Sequence, residues 1–256
     1  MAGHSYLVTG GSKGVGRAVV RLLLAEGASV TTCARGEDGL VELAVEMAEH
    51  GARLRTIAAD VRDPAAMADV VARTVATFGR LDGLLVSAGA GATGDVLTTT
   101  DAIWDEQLGL KVHSVLNTVR PAVAHLGVRG GRIVVVNAVT ARSPEPTMAA
   151  VSAARAAVAN LTRSLAEALA PQEIGVVALN LGAVITDRQR ERFEAGHSAV
   201  PFEVWCEQEA RRRGIWSGRL AQVDEIAPAA VFLLSPRASY ATGTSLDIAG
   251  GMSGSW

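Results

Sequence analysis

Short apolar runs alternate with longer segments of helical periodicity along the whole chain. The runs at 6–9, 29–33, 54–58, 84–87, 133–137, 176–180 and 245–248 are predicted strands. Most carry Val, Leu or Ile at successive positions, as strands covered on both faces do. Between them, the spacing predicts helices near 15–27, 38–50, 64–78, 101–126, 149–170 and 223–234. In the fourth, Val112, Val115, Leu116, Val119, Val123 and Leu126 make one apolar face. Gly79, Gly127 and Gly175 stand where helices should stop, and Asp63-Pro64 reads as a helix start. Repeated βα units predict an α/β fold with a parallel sheet, right-handed crossovers and helices on both faces. No repeat or linker interrupts the pattern, so residues 1–256 read as one domain. One stretch breaks the rhythm. Residues 187–222 are polar and charged, with Trp205, Trp216 and arginines at 211, 212 and 213. The stretch follows the sixth strand, at the carboxyl edge of the sheet, where open α/β sheets bind ligands. It is expected to be a substrate-covering lid; a solvated helical insertion is the alternative. The arginine run reads as helix-surface charge, or as a contact for an acidic substrate or a carrier's phosphate.

Composition narrows the function classes. The 24 Lys+Arg against 26 Asp+Glu leave a net charge of −2, unlike a general nucleic-acid binder. No apolar run approaches the length of a membrane span, and the N-terminal segment does not read as a secretory signal. Cys33 and Cys206 form neither a disulfide framework nor a metal spacing, so a cytoplasmic location without a metal is expected. The chain has only two tyrosines, Tyr6 and Tyr240.

The first strand runs into Thr9-Gly10-Gly11-Ser12-Lys13-Gly14-Val15-Gly16, which opens the first helix. In a strand–turn–helix context Gly10 permits the tight turn, Gly14 lets the backbone approach a pyrophosphate, and Gly16 lets helix pack on strand. The helix N-terminus presents free N–H groups to the anion. The second strand ends in Ala34-Arg35, where an NAD enzyme usually has an acid for the ribose hydroxyl. Arg35 with Lys13 suits a 2′-phosphate instead, so NADP(H) is expected over NAD(H). Asp60-Val61 closes the third strand, where it can hold the adenine edge.

These motifs resemble the short-chain dehydrogenase/reductase family over nearly the whole chain. The glycine turn, Asp60-Val61, Ser87-Ala88-Gly89, Trp104-Asp105 and the strand at 132–136 fall in the family's order. So do Gly218-Arg219-Leu220, Ala241-Thr242-Gly243, Leu246-Asp247 and Gly250-Gly251. The resemblance implies a seven-stranded, doubly wound Rossmann fold, and a homodimer or homotetramer built through the C-terminal region. It also implies that Ser87, Ala88, Gly89, Val184, Thr186 and Arg155 contact the cofactor.

At the catalytic positions the chain departs from the family. The family uses Asn, Ser, Tyr and Lys, the last two spaced i, i+4 on one helix face. Without a gap, Val151 falls at the Tyr place and Arg155 at the Lys place. Ala138 falls at the Ser place, and Lys111 at the Asn place. A one-residue slip offers Ser152 and Ala156, which restores nothing, and neither tyrosine is near. Losing a positioned general acid costs about 10²–10⁴ in rate. Lys111 and Arg155, both expected to face the cleft, are the candidate catalytic residues. Two cations there suit an anionic group or an enolate oxygen, and a desolvated Lys111 suits a base or an iminium. A space-filling Lys111 and a ribose-binding Arg155 are the plainer alternatives. His113, Thr140 and His197 are secondary candidates.

Three functions remain open on these residues. One is an NADP(H)-binding enzyme with non-standard catalysis on a carbonyl or polyketide-like small molecule, including redox-neutral cyclisation, dehydration or isomerisation. A second is an atypical NADPH-dependent ketoreductase. The third is a catalytically silent binding or structural partner in a hetero-oligomer with an active homologue.

Overall fold

The computed structural model of the chain describes residues 1–126, 130–196 and 199–252. Gly127 and His197 lie outside the described residues. The elements run in the order β1 (Ser5–Thr9), α1 (Gly14–Ala25), β2 (Ser29–Ala34), α2 (Glu37–Glu46), β3 (Leu54–Ala58) and α3 (Pro64–Phe78). Then come β4 (Gly83–Val86), α4 (Asp101–Leu108), α5 (Ser114–Leu126), β5 (Arg132–Ala138), α6 (Ala149–Leu169) and β6 (Gly175–Leu181). The last are β7 (Val184–Ile185), α7 (Asp187–Ala195), α8 (Phe202–Arg212), β8 (Ala221–Gln222), α9 (Val223–Leu234) and β9 (Thr244–Ile248).

Seven strands form one parallel sheet in the order β3-β2-β1-β4-β5-β6-β9. The chain winds outward from β1 to β3, then returns to β4 on the other side of β1. That reversal opens a crevice at the carboxyl ends of β1 and β4. Alternate residues of each strand feed opposite cores. Tyr6 and Val8 pack with Val19, Leu23, Ile226 and Ala230 of α1 and α9. Leu7 packs with Met67, Val70, Val115 and Val119 of α3 and α5. A smaller cluster of Ala183, Cys206, Ala210, Ile215 and Leu220 supports the stretch expected to be a lid. Both cysteines are free and buried.

The local signals explain most boundaries. Asp63 caps α3, its carboxylate accepting from Ala65 N at 2.8 Å and Ala66 N at 3.2 Å, and Gly79 ends the helix at φ 70°. Gly175 does something else. It begins β6 rather than stopping a helix, and the left-handed residue after α6 is Glu173 at φ 57°. A Cβ at Gly175 would stand 1.9 Å from Nη1 of Arg132. The glycine makes room for that buried guanidinium, which donates to the carbonyls of Leu233, Ala238, Ser239 and Ala241. Nearby, Asp82 accepts from Ser5 N at 2.8 Å and pairs with Arg80 at 2.6 Å.

The helix expected over 101–126 is interrupted by a π-helical turn at Gly109–His113. Such a turn adds a residue and rotates the helix beyond it. It buries Leu110 and Lys111 and leaves His113 exposed. The helix expected over 38–50 also ends early, at Glu46, and a 3₁₀ segment comes next at Ala48–Arg53. Asp63→Ala removes two hydrogen bonds at an exposed helix start. It is expected to lower the unfolding free energy by about 1 kcal/mol, read as a lower urea midpoint with an unchanged slope.

Candidate active site and cofactor cleft

The crevice is built first from backbone that leaves no room for side chains. Gly10 adopts φ +74°, and a Cβ there would lie 2.8 Å from Ala88 Cα. A Cβ on Gly16 would lie 2.3 Å from the Gly10 carbonyl oxygen. Thr9 ties the two loops together. Its Oγ1 accepts from Ser87 N at 3.0 Å and Ala88 N at 3.2 Å, and Ser87 Oγ donates to Thr9 O at 2.8 Å. Helix α1 then starts at Gly14 with no side-chain cap and no acid in its first turn. Its first N–H groups therefore face the crevice without a partner from the cap residue, which suits an anion.

A cleft of about 520 Å³ runs from this turn across the carboxyl edge. Thirteen of the expected cofactor residues line it: Gly10, Ser12, Lys13, Gly14, Val15, Gly16, Arg35, Val61, Ser87, Ala88, Gly89, Arg155 and Thr186. The other two do not. Asp60 is drawn off by Arg62, which holds its carboxylate at 2.6 Å and, with help from Arg35, keeps it below the usual carboxylate range. Val184 is buried in the short strand β7. At the outer end of the cleft, Lys13 and Arg35 are exposed and in no ion pair among the described residues.

The inner end holds the candidate chemistry. Arg155 reaches from α6, its Nη1 donating to Val136 O at 2.7 Å. Its Nε is buried and has no hydrogen-bond partner. Asn137 donates to the Arg155 carbonyl at 3.2 Å. The π-helical turn carries Lys111 inward, where Nζ donates to Ala90 O. Arg188, at the start of α7, donates to Gly89 O at 2.7 Å. Burial, then the fields of Arg155 and Arg188, pull the Lys111 ammonium down to about 6, with Glu106 opposing weakly. Burial, then Arg188, lowers Arg155 to about 10. Val151, one turn before Arg155 on α6, is buried and carries no ionisable group. Ala138 ends β5, and Thr140 is buried in the turn after it.

Arg188 has no distinguishing signal in the sequence. It is one of several arginines between 187 and 222, and only its place two residues after Thr186 sets it apart. The arginine run behaves differently. Arg213 is buried and pairs with Glu145 at 2.6 Å and Glu209 at 3.1 Å. Arg212 bonds the same two acids at 3.0 Å, and Arg211 reaches Glu207. These pairs pin α8 to the loop before α6.

Comparison with known proteins fits this architecture. The family described as Enoyl-(Acyl carrier protein) reductase matches residues 10–253. The 3-oxoacyl-[acyl-carrier-protein] reductase FabG of Salmonella typhimurium is 30% identical over 251 residues, 98% of this chain and 97% of that protein. This chain is a member of the short-chain dehydrogenase/reductase family. A short-chain oxidoreductase of Pseudomonas aeruginosa PAO1, described as containing an atypical catalytic center, superposes with a TM-score of 0.94 at 38% identity. That match covers 99% of this chain and 98% of the other. The same oxidoreductase has been solved with NADPH bound, and matches with a TM-score of 0.93. The actinorhodin polyketide ketoreductase with NADPH matches at 28% identity and a TM-score of 0.91, covering 100% of both chains.

The buried lysine makes stability depend on pH. From about 6 up to the ordinary lysine value, the unfolded chain holds a proton that folded Lys111 has lost. Unfolding free energy therefore rises with pH across that window. Lys111→Met is expected to be more stable than the wild type near pH 6.5. The gap should narrow by pH 9.5, as read by urea denaturation at both values.

Proposed function

We propose that the protein binds NADP(H) and acts on the carbonyl group of a small, polyketide-like molecule by a route that does not use a tyrosine acid. The fit to the cofactor rests on the cradle at Gly10 and Gly16, where any Cβ would strike backbone, and on the uncapped start of α1. Arg35 and Lys13, exposed and in no ion pair among the described residues, suit a 2′-phosphate. The NADPH-bound relatives support the same choice. When bound, the nicotinamide supplies or takes a hydride.

The chain's own residues do the rest. Gly14 and the first turn of α1 hold the pyrophosphate, and Arg155 holds ribose hydroxyls. Arg155 and Arg188 line the inner end with positive charge, which stabilises a carbonyl oxygen as it becomes negative. Val151 and Ala138 offer no proton there. The observation that carries this reading is Arg155 in the wall of a cofactor-sized cleft, with Lys111 buried against Gly89 and Ala90 of the same wall and no tyrosine at position 151. The relative with an atypical catalytic center supports it. A second reading, a redox-neutral reaction on the same carbonyl, is favoured by the same excess of cations.

Two experiments separate the parts. Arg35→Ala is expected to weaken NADPH by about 10–100-fold, from loss of a charge-assisted contact, and to leave NADH unchanged in fluorescence titrations. The triple variant Val151→Tyr, Ala138→Ser, Arg155→Lys is expected to gain simple-ketone reduction by about 10²-fold or more. A wild type that already matches the triple variant on simple ketones would overturn the reading that Val151, Ala138 and Arg155 stand at the family's catalytic places.

A further inference from the structure

The end of α8 is fastened by a closed ring of charges. Arg212 and Arg213 each bond both Glu145 and Glu209. Arg213 reaches Glu145 at 2.6 Å and Glu209 at 3.1 Å, and Arg212 reaches each acid at 3.0 Å. Arg192 of α7 meets Glu209 from outside the ring at 3.5 Å. The Arg213 side chain is only 8% exposed, and those of Glu145 and Glu209 only 11%. Stability alone does not account for such a ring. Buried charges lose their water, and apolar side chains of similar size would hold α8 about as well. What the ring adds is direction, because a rigid guanidinium fork satisfies two carboxylates in few placements. Glu145 is the member that lies outside α8, and its backbone is tied to the walls of the reactive end. Its N–H donates to Ser152 Oγ at 3.2 Å, next to Val151 on α6, and its carbonyl accepts from Met148 N at 2.9 Å. Met148 in turn bridges to Gly94, and its Cε lies 3.4 Å from where a Cβ on Gly91 would stand. On its other side α8 carries Phe202 and Trp205, which Phe193 of α7 meets edge-on at 5.2 and 5.7 Å. The opposite face of α7, with Asp187, Arg188 and Glu191, lines the cleft.

We propose that Glu145 is a positioning residue: through the ring it sets the placement of α8, and through the aromatic contact of α8 with α7 it sets where Arg188 meets the cleft. The chain of contacts runs from the start of α6 and the loop at 91–94, through Glu145 and the two arginines, to α8. It passes through Phe202, Trp205 and Phe193 to α7, and ends where Arg188 donates to Gly89 O. Each link is a packed or hydrogen-bonded contact, so a turn of α8 moves the cleft-lining face of α7 with it. Removing one member of the ring leaves a buried charge without its partner, and α8 then turns to find water or another acid. The inference goes beyond the carbonyl reading and holds whatever the substrate.

The test uses the full chain labelled with fluorotryptophan, whose Trp205 signal, assigned by Trp205→Phe, reports the placement of α8 by fluorine NMR. Amide hydrogen exchange over 187–195 and 202–213 gives a second readout, and the urea midpoint reports the fold. Two variants are compared with the wild type. Arg213→Lys keeps the charge and loses the fork; Glu145→Leu with Arg213→Leu removes one charge of each sign. Both are expected to shift or broaden the Trp205 signal and to speed exchange in both segments about tenfold or more. The urea midpoint and the exchange of β1 and β4 should stay as in the wild type. Arg211→Lys, at the exposed pair with Glu207, should change none of these. A wild-type Trp205 signal and wild-type exchange in either variant overturn the proposal. So does a lowered midpoint with faster exchange through β1 and β4, which would make the ring a fastening of the whole fold. An Arg211→Lys effect as large as that of Arg213→Lys overturns it too.

Discussion

The contact on which the rest depends is one of backbone against backbone, where the turn after β1 meets the loop after β4. Gly10 approaches Ala88 and Gly16 approaches the Gly10 carbonyl so closely that no side chain fits between them. Thr9 fastens the two loops with its hydroxyl and its carbonyl. That closeness lets α1 begin directly over the crevice with its N–H groups facing inward. It also fixes the loop at 87–90, whose carbonyls receive Lys111 and Arg188. The phosphate-binding end and the reactive end of the cleft are therefore built on one rigid seam.

Much of this was legible in the residues because the signals were local. The strand over 54–58 and the helices over 64–78 and 223–234 have the bounds expected from periodicity and caps. The glycine turn carried its own geometry, since Gly10 and Gly14 adopt the positive φ that side chains resist. What escaped depended on distant partners. Gly175 looks like a helix stop until Arg132, far off in sequence, is seen to occupy the space its side chain would need. The π-helical turn has no periodic signature in so short a stretch, yet it decides which of Lys111 and His113 points inward. Asp60, expected at the adenine edge, is bonded by its near neighbour Arg62, a pairing the residue pattern did not announce. Arg188 was one arginine among many until the fold aimed it at Gly89.

The inner site illustrates how charge and burial work against each other. Each cation alone would be tolerable at a cleft wall. Burial, helped by the fields of Arg155 and Arg188, lowers Lys111, and burial helped by Arg188 lowers Arg155.

The buried guanidinium of Arg132 has a consequence for how such a site can arise. It lies at the amino edge of the sheet with Asp82 and Arg80, tying the first residues of β1, β5 and β6 to the C-terminal segment. Lys111, Arg155 and Arg188 bond instead to the carbonyls of Ala90, Val136 and Gly89, toward the opposite edge. Substitutions at the carboxyl edge can thus leave the fastening at the amino edge, which keeps the molecule folded, untouched.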